Sequence, residues 1–446
     1  MHKPMIKVVQ TVKNTNDRLA QKDNLYFDGI SKHDLPVIQV DGGITYQKME
    51  GFGGAFTEAS AVNFYKMSPE KRDEILKAYF DNEEGIGYTL CRTTINSCDF
   101  AMSSYSYDDI HDDIELKYFS IERDKKALIP FIKEAISSSG NQLRLFASPW
   151  SPPAWMKSNG TMIKGGTLKE EYNDVWARFF AKYINVYKEE GIEIWGITIQ
   201  NEPEAVQQWD SCIYSHEAER DFIKYHLGPI MEQEGLADVK IMIWDHNKNH
   251  ILDRAKTVLM DHEAEKYIWG IAFHWYSGEQ FDNLKLTHDS FPDKVLISSE
   301  ACVAKNQYSP WGIGEKYAHY MIGDFNNWTA GWVDWNLLLN EDGGPRYVSV
   351  PCESPILADV VDDTVHYLSS YYYIGHFSKF IKMGAYRIAV SSDTSYLETT
   401  AFRNPNGEIV VVVLNRSNND IRFKLTDDID FTEVLSPSRS IMTLLY

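Results

Sequence analysis

The chain has 446 residues, 43 % of them apolar and 24 % charged, the balance of an ordinary globular protein with more than one domain. Its net charge of −20 excludes the basic face that nucleic acid or an anionic lipid surface requires, and no stretch approaches the ~20 apolar residues that span a bilayer. Cys91, Cys98, Cys212, Cys302 and Cys352 are odd in number, widely spaced and without a Cys-x-x-Cys pair, and the first residues, Met1–Lys7, lack the apolar run of a signal peptide; both point to a reduced, cytoplasmic setting.

In chain order, Met5–Val12 and Pro36–Val40 read as strands, with Asp41-Gly42-Gly43 as a turn after them. Eight β-like runs follow: Gly51–Phe56, Tyr88–Ile95, Gln142–Pro149, Ile192–Gln200, Val239–Asp245, Ile268–Tyr276, Lys294–Ser299 and Gly331–Leu338. Several are continuously apolar, as parallel strands covered on both faces are. Helical patterns lie between them. Ser68-Pro69 is a helix start, with Ser as cap and Pro at the first helical position, and the helix runs toward Phe80. From about Leu168 to Glu190, Val175, Trp176, Phe179, Phe180, Tyr183, Ile184 and Tyr187 recur at helical spacing, and Gly191 ends the run.

Strands alternating with helices over this length predict an α/β fold, a (β/α)8 TIM barrel, with a doubly wound open sheet as the competing architecture. After about Gly384 the helical signal vanishes. Tyr386–Ser391, Leu397–Phe402, Glu408–Leu414, Ile421–Leu425 and Ser440–Tyr446 predict short strands separated by turns such as Asn404-Pro405-Asn406-Gly407. We therefore expect a flanking antiparallel β-sandwich built from both termini. Residues 1–45 and 384–446 would form it, and residues 46–383 would form the barrel. It serves as a structural flank or as a carbohydrate-binding module.

In a barrel the site lies at the C-terminal ends of the strands. Glu202, in Asn201-Glu202-Pro203, follows the fourth run, and Glu300, in Ser299-Glu300-Ala301, ends the seventh. Strands four and seven face each other across a barrel mouth, so the two carboxyls can converge. A pair of carboxyls about 5–5.5 Å apart is the equipment for glycoside hydrolysis with retention. In that chemistry Glu300 is the nucleophile. Glu202 is the acid and then the base, its pKa raised by burial and by the charge of Glu300. The alternative reading is two structural carboxylates paired with Arg or Lys.

Other strand ends supply polar and aromatic groups. Trp150 and Trp155 sit in a proline-stiffened loop after the third run, and Trp150 is placed to stack on a sugar face. Asn201 is placed to bond a sugar 2-hydroxyl. Asp99 offers a hydroxyl acceptor, and Arg92 can bridge to a carboxylate. His274 and Tyr276 end the sixth run, and Asp334-Trp335-Asn336 the eighth. Gly51-Phe52-Gly53-Gly54-Ala55-Phe56 resembles a dinucleotide fingerprint but has Phe56 where a last Gly or Ala is required. There is no Walker A lysine, no His-Glu-x-x-His and no Gly-x-Ser-x-Gly elbow. His246 and His250 read as solvated loop histidines. No cofactor and no metal is expected.

Ordered blocks from Gly51 onward resemble one family. They are Gly51-Phe52-Gly53-Gly54-Ala55, Glu84-Gly85-Ile86-Gly87-Tyr88, Ser97-Cys98-Asp99-Phe100, Ala147-Ser148-Pro149-Trp150, Asn201-Glu202-Pro203, His274-Trp275-Tyr276, Ser299-Glu300-Ala301-Cys302-Val303, Asp334-Trp335-Asn336-Leu337 and Gly375-His376-Phe377-Ser378-Lys379-Phe380. The chain is similar to the acid β-glucosidase (glucosylceramidase) branch of glycoside hydrolase family 30. The resemblance implies a retaining exo-β-glucosidase on a barrel with a β-sandwich. It implies Glu202 as acid/base and Glu300 as nucleophile. Asp99, Trp150, Asn201 and Trp335 would grip the terminal glucose, and Arg92, His274 and Tyr276 would support the nucleophile. The stretch Glu204–Cys212 departs from the family pattern, so the resemblance does not carry over what binds beyond the first sugar. The same mechanism on another β-glycoside (β-xylosidase, β-fucosidase or endo-β-1,6-glucanase) is the alternative. A non-catalytic sugar-binding protein is the reading from outside enzymology.

Overall fold

A computed structural model describes residues 5–27, 29, 34–427 and 430–446; residues 1–4, part of the leader reading, lie outside them. Eight parallel strands close into a barrel. They are β1 (Gly51–Phe56), β2 (Leu90–Ile95), β3 (Arg144–Pro149), β4 (Ile194–Thr198), β5 (Lys240–Asn247), β6 (Ile268–His274), β7 (Val295–Glu300) and β8 (Thr329–Asn336). Each coincides with an expected run, and β8 pairs with β1 to seal the ring. β1 and β2 are buried along their whole length, which explains their unbroken apolar character. Gly53 is required by close approach: a Cβ there would lie 1.8 Å from the Leu90 carbonyl oxygen. The glycines of this stretch thus serve barrel closure and not a nucleotide.

The helix Pro69–Phe80 starts as expected, with the Ser68 hydroxyl accepting from the Lys71 amide. The long helix spans Asn173–Glu189 and not from Leu168. Leu168 is instead bridged to Lys157, and the Lys169 amide bonds the Met156 carbonyl, so backbone pairing to the preceding loop delays the helix. Its buried face carries the seven residues that set its period. No helix among the described residues is long and apolar enough to cross a membrane.

Strands from both termini form one nine-stranded sheet, which includes Met5–Val12, Val37–Lys48 and the strands from Tyr386 to Leu445. Its core is a separate apolar cluster containing Ile6, Val40, Val411, Phe423 and Leu444. The sheet is antiparallel except where Ile421–Thr426 runs parallel to Val37–Lys48. Two of its strands, Ala20–Tyr26 and Phe431–Ser436, were not expected: the first is largely exposed, and the second alternates in burial but buries Thr432 and Ser436 beside Val434, so its hydropathy does not alternate. The expected turn at Asp41-Gly42-Gly43 is absent. The strand continues to Lys48, and the register jumps from Ala389↔Asp41 to Ile388↔Thr45. The two glycines are absorbed in a bulge. Sheet and barrel meet at paired hydrogen bonds between Met49 and Gly384–Ala385. They meet again at His376, whose ring nitrogens bond Thr11 at 2.9 Å and Thr443 at 2.8 Å.

Candidate active site

The C-terminal ends of the barrel strands surround a cavity of about 380 Å³ whose lining includes Glu202 and Glu300. One carboxylate oxygen of each, together with a ring nitrogen of His274, lie within 4.8 Å of one another. Glu300 is buried at the end of β7. Its Oε2 accepts from Arg92 Nη1 at 2.6 Å and its Oε1 from the Tyr276 hydroxyl at 2.9 Å. Glu202 lies past β4 with φ of 48°, a left-handed backbone that is unusual for a glutamate. Its amide donates to the Asp245 carbonyl at 3.0 Å. Its carboxylate lies 3.4 Å from His274 Nδ1 and accepts from Gln207 Nε2 at 3.2 Å.

The two carboxyls therefore occupy different surroundings, one on a guanidinium and a phenol, the other on an imidazole and an amide. The expected rise in the Glu202 pKa is not found. Burial is the largest single influence and pushes it up, but the hydrogen bond and charge of His274, with smaller contributions from His246 and Gln207, together hold the group below the usual carboxylate range. His274 moves the other way. Burial opposes its charge, yet Glu300, Asp245 and Glu202 together lift it to about 9. The shifts run in opposite directions, so His274 holds a proton more firmly than Glu202 does.

Asp245 anchors this arrangement and was not singled out from the sequence. Its fully buried carboxylate accepts from Arg92 Nη2 at 2.7 Å, Thr198 Oγ1 at 2.6 Å, Ser299 Oγ at 2.6 Å and His274 Nε2 at 3.0 Å. Burial alone would raise its pKa, but Arg92 and His274 drive it far below the usual range. The residue sits at a register break in β5, with Trp244 and Asp245 at φ of 76° and 57°. Such a bulge re-aims a side chain. A strict two-residue period does not announce it, and the only sequence signal was a carboxylate at a strand end.

Asp99, Trp150, Asn201 and Trp335 all line the cavity. Asn201 Oδ1 accepts from Arg92 at 2.9 Å. The Asp99 carboxyl is raised well above its ordinary range, by burial first and then by the charges of Glu300 and Glu202. Trp150 does not present a broad stacking face. It is 2 % exposed and stacked on Trp335 at 5.1 Å, with the Arg92 guanidinium 4.7 Å from its ring centre. Trp155 is a packed loop residue, bonded through Nε1 to the Asp108 carbonyl and set edge-on to Tyr172. Of Asp334-Trp335-Asn336 at the end of β8, only Trp335 reaches the cavity. Asp334 is buried beneath it on the Tyr317 hydroxyl at 2.8 Å, its pKa pushed up to about 8 by burial, and Asn336 bonds Thr57.

His246 is also a correction. It lines the cavity at the end of β5 and is not a solvated loop residue. Burial pulls its pKa down to about 4, so it is neutral. His250 is exposed and bonded to Glu204 at 2.8 Å. Gln207, Trp209, Asn247 and Gln307 are among the less buried members of the same lining.

Residues 49–381 match the model of the glycosyl hydrolase family 30 TIM-barrel domain, and residues 384–444 the family 30 beta sandwich domain. The chain is 39 % identical to the lysosomal acid glucosylceramidase of Mus musculus over 90 % of its own length and 81 % of that protein. The structure of SrfJ from Salmonella typhimurium superposes with a TM-score of 0.96 at 36 % identity over 99 % of both chains. A solved endo-β1,6-glucanase superposes with a TM-score of 0.90 at 28 % identity, again over 99 % of both.

Proposed function

The chain belongs to glycoside hydrolase family 30, and from that premise we propose that it is a retaining exo-β-glucosidase acting through Glu300 and Glu202. The observation that carries this reading is the approach of one oxygen from each carboxylate to within 4.8 Å across a cavity, in unlike surroundings. An approach this close supports the narrower carboxyl spacing of retention over the roughly 6.5–9.5 Å of inversion.

Glu300 Oε attacks the anomeric carbon, and the glycosidic bond breaks toward its oxygen. Glu202 gives that oxygen a proton, and the aglycone leaves as an alcohol. Arg92 and Tyr276 hold the Glu300 carboxylate in line. Because His274 holds the proton more firmly than Glu202, the acid is loaded when bound substrate desolvates Glu202. Desolvation then favours the neutral carboxyl, and His274 Nδ1, 3.4 Å away, is the donor. Once Glu300 is esterified, its negative charge is gone and His274 loses the largest support for its own. Glu202 then takes a proton from the incoming water, whose oxygen attacks the anomeric carbon and frees Glu300.

The inner end of the cavity, under Asp99, Trp150, Asn201 and Trp335, supports recognition of a terminal sugar. The polar outer wall of Gln207, His246, Asn247 and Gln307 favours a hydroxylated aglycone, and this keeps endo-β-1,6-glucanase action as the second reading. A panel of nitrophenyl β-glucoside, β-xyloside and β-fucoside beside β-1,6-glucan tests the choice. The expected result is hydrolysis of the glucoside with β-glucose as the first product. Cleavage confined to internal bonds of the glucan, or preference for the xyloside or fucoside, overturns the exo-glucosidase reading. No turnover on any of them would leave only a sugar-binding role.

A further inference from the structure

Four loops above the barrel are tied together at the rim of the cavity. Asp210, in the loop after β4, is 1 % exposed. Its Oδ1 accepts from the hydroxyl of Ser104, in the loop after β2, at 2.6 Å. Its Oδ2 accepts from the hydroxyl of Tyr347, past β8, at 2.7 Å, and the Asp210 amide donates back to that hydroxyl at 3.2 Å. The loop after β3 joins them: Ile163 is bridged to Asp210, and the buried Lys157 ammonium donates to the carbonyls of Met162 and Ser211. Parting these loops would strand buried polar atoms without partners, which is costly. The clasp is therefore a fixed part of the wall.

Strands β4 and β8 stand four places apart in the ring of eight, so a bond between their loops crosses the mouth. Ser104 places the crossing on the side of β1, β2 and β3. Residues beside the clasp line the cavity from both of its ends, Trp209 next to Asp210 and Val350 three positions past Tyr347. Trp209 packs on the apolar cluster that contains Trp150 and Trp335. The crossing thus bounds the inner end of the cavity, where Asp99, Trp150, Asn201 and Trp335 stand. The opposite side, beyond β7, carries the exposed lining residues Ala304 and Gln307 and leads to solvent.

We propose that the Asp210–Tyr347 clasp determines exo action. It closes the cavity behind the terminal sugar, so a chain end enters and a sugar linked further out on that side does not. The inference rests on the exo-β-glucosidase reading above and assigns the residues that enforce it. Asp210 and Tyr347 act through the loops that they hold and are positioning residues; Trp209 and Val350 form the wall itself. The stretch Glu204–Cys212, which departs from the family pattern, is the one that carries Trp209 and Asp210.

The test uses the full chain with nitrophenyl β-gentiobioside, whose two β-1,6-linked glucoses precede the leaving group, beside nitrophenyl β-glucoside. The quantity read is intact gentiobiose released, relative to hydrolysis of the simple glucoside by the same variant. This ratio discounts any general loss of activity. The parent chain should release no gentiobiose. In Tyr347→Phe, which removes the hydroxyl and keeps the ring, and in Asp210→Ala, the ratio should rise at least tenfold above the parent's detection limit. Asp210→Asn, which can still bond both hydroxyls, should give back much of the parent's product pattern. No rise in either opened variant, with the glucoside still hydrolysed, overturns the proposal and leaves the exo reading standing. Gentiobiose released by the parent chain overturns the exo reading itself, and hydrolysis of neither substrate by the parent overturns both.

Discussion

Arg92 Nη2 lies 2.7 Å from Asp245 Oδ2, with neither side chain exposed to solvent. The contact joins β2 to β5 beneath the cavity floor, and the other nitrogen of the same guanidinium reaches Glu300. A buried pair of this kind is a poor source of net stability, but breaking it from one side leaves an uncompensated charge. Asp245→Asn should therefore cost about 3–5 kcal/mol of stability, measured by urea unfolding at constant m-value. An unchanged midpoint would mean that water or another group replaces the carboxylate.

The proton balance gives a second prediction. His274 is raised to about 9, with Glu300 the largest favourable cause and Asp245 next. Its contribution to stability is thus complete below its unfolded value of about 6.5 and is lost as pH rises through about 9. In nitrogen NMR of histidine-labelled protein, one imidazole should remain protonated at pH 7.5 and titrate near 9. In Glu300→Gln the same resonance should titrate at lower pH. A His274 signal already neutral at pH 7.5 in the parent chain would refute the proposed resting place of the proton.

Much of this architecture is legible in the sequence. Eight apolar runs with helices between them identify a closed parallel barrel, because strands covered on both faces leave an unbroken apolar signature. Glu202 and Glu300 stand out because a carboxyl ending such a run needs a reason to be there. Asp245 and His246 were hidden by the register break in β5, where left-handed backbone at Trp244 and Asp245 turns side chains out of the strand period. The sign of the Glu202 shift was also hidden. It depends on a histidine 72 positions away in sequence lying 3.4 Å off in space. Trp150 lines the cavity from the expected loop, but its stacking on Trp335 could not be read from two residues 185 positions apart.

Separation of the two carboxyl roles is visible in the leaving-group dependence. Glu202→Gln should lower kcat/KM by about 10²–10⁴ on substrates with poor leaving groups, the range of one general acid. A strongly activated nitrophenyl leaving group needs no proton, so its bond cleavage should be nearly spared while release of the sugar from the enzyme slows. Equal losses on both kinds of substrate would argue that Glu202 is not the acid.

The outer wall makes its own prediction. Gln207 bonds Glu202 directly, whereas His246 lines the cavity with a neutral ring whose Nδ1 has no hydrogen-bond partner among the described residues. His246→Ala should raise KM for a glucoside with a sugar aglycone by a few-fold to about tenfold, the worth of one hydrogen bond. KM for a simple aryl glucoside should hardly move. A uniform loss on both would mark His246 as a support of the cavity wall and not a contact to the aglycone.

The central claim is that Glu300 forms a covalent bond to the sugar while Glu202, held on His274, manages the proton. Peptide mapping after incubation with a fluorinated β-glucoside that accumulates the intermediate tests it most directly. The account predicts one sugar mass added per chain, located on the peptide carrying Glu300 and absent in Glu300→Gln. Attachment at any other residue, or an active enzyme that never becomes labelled, would contradict it.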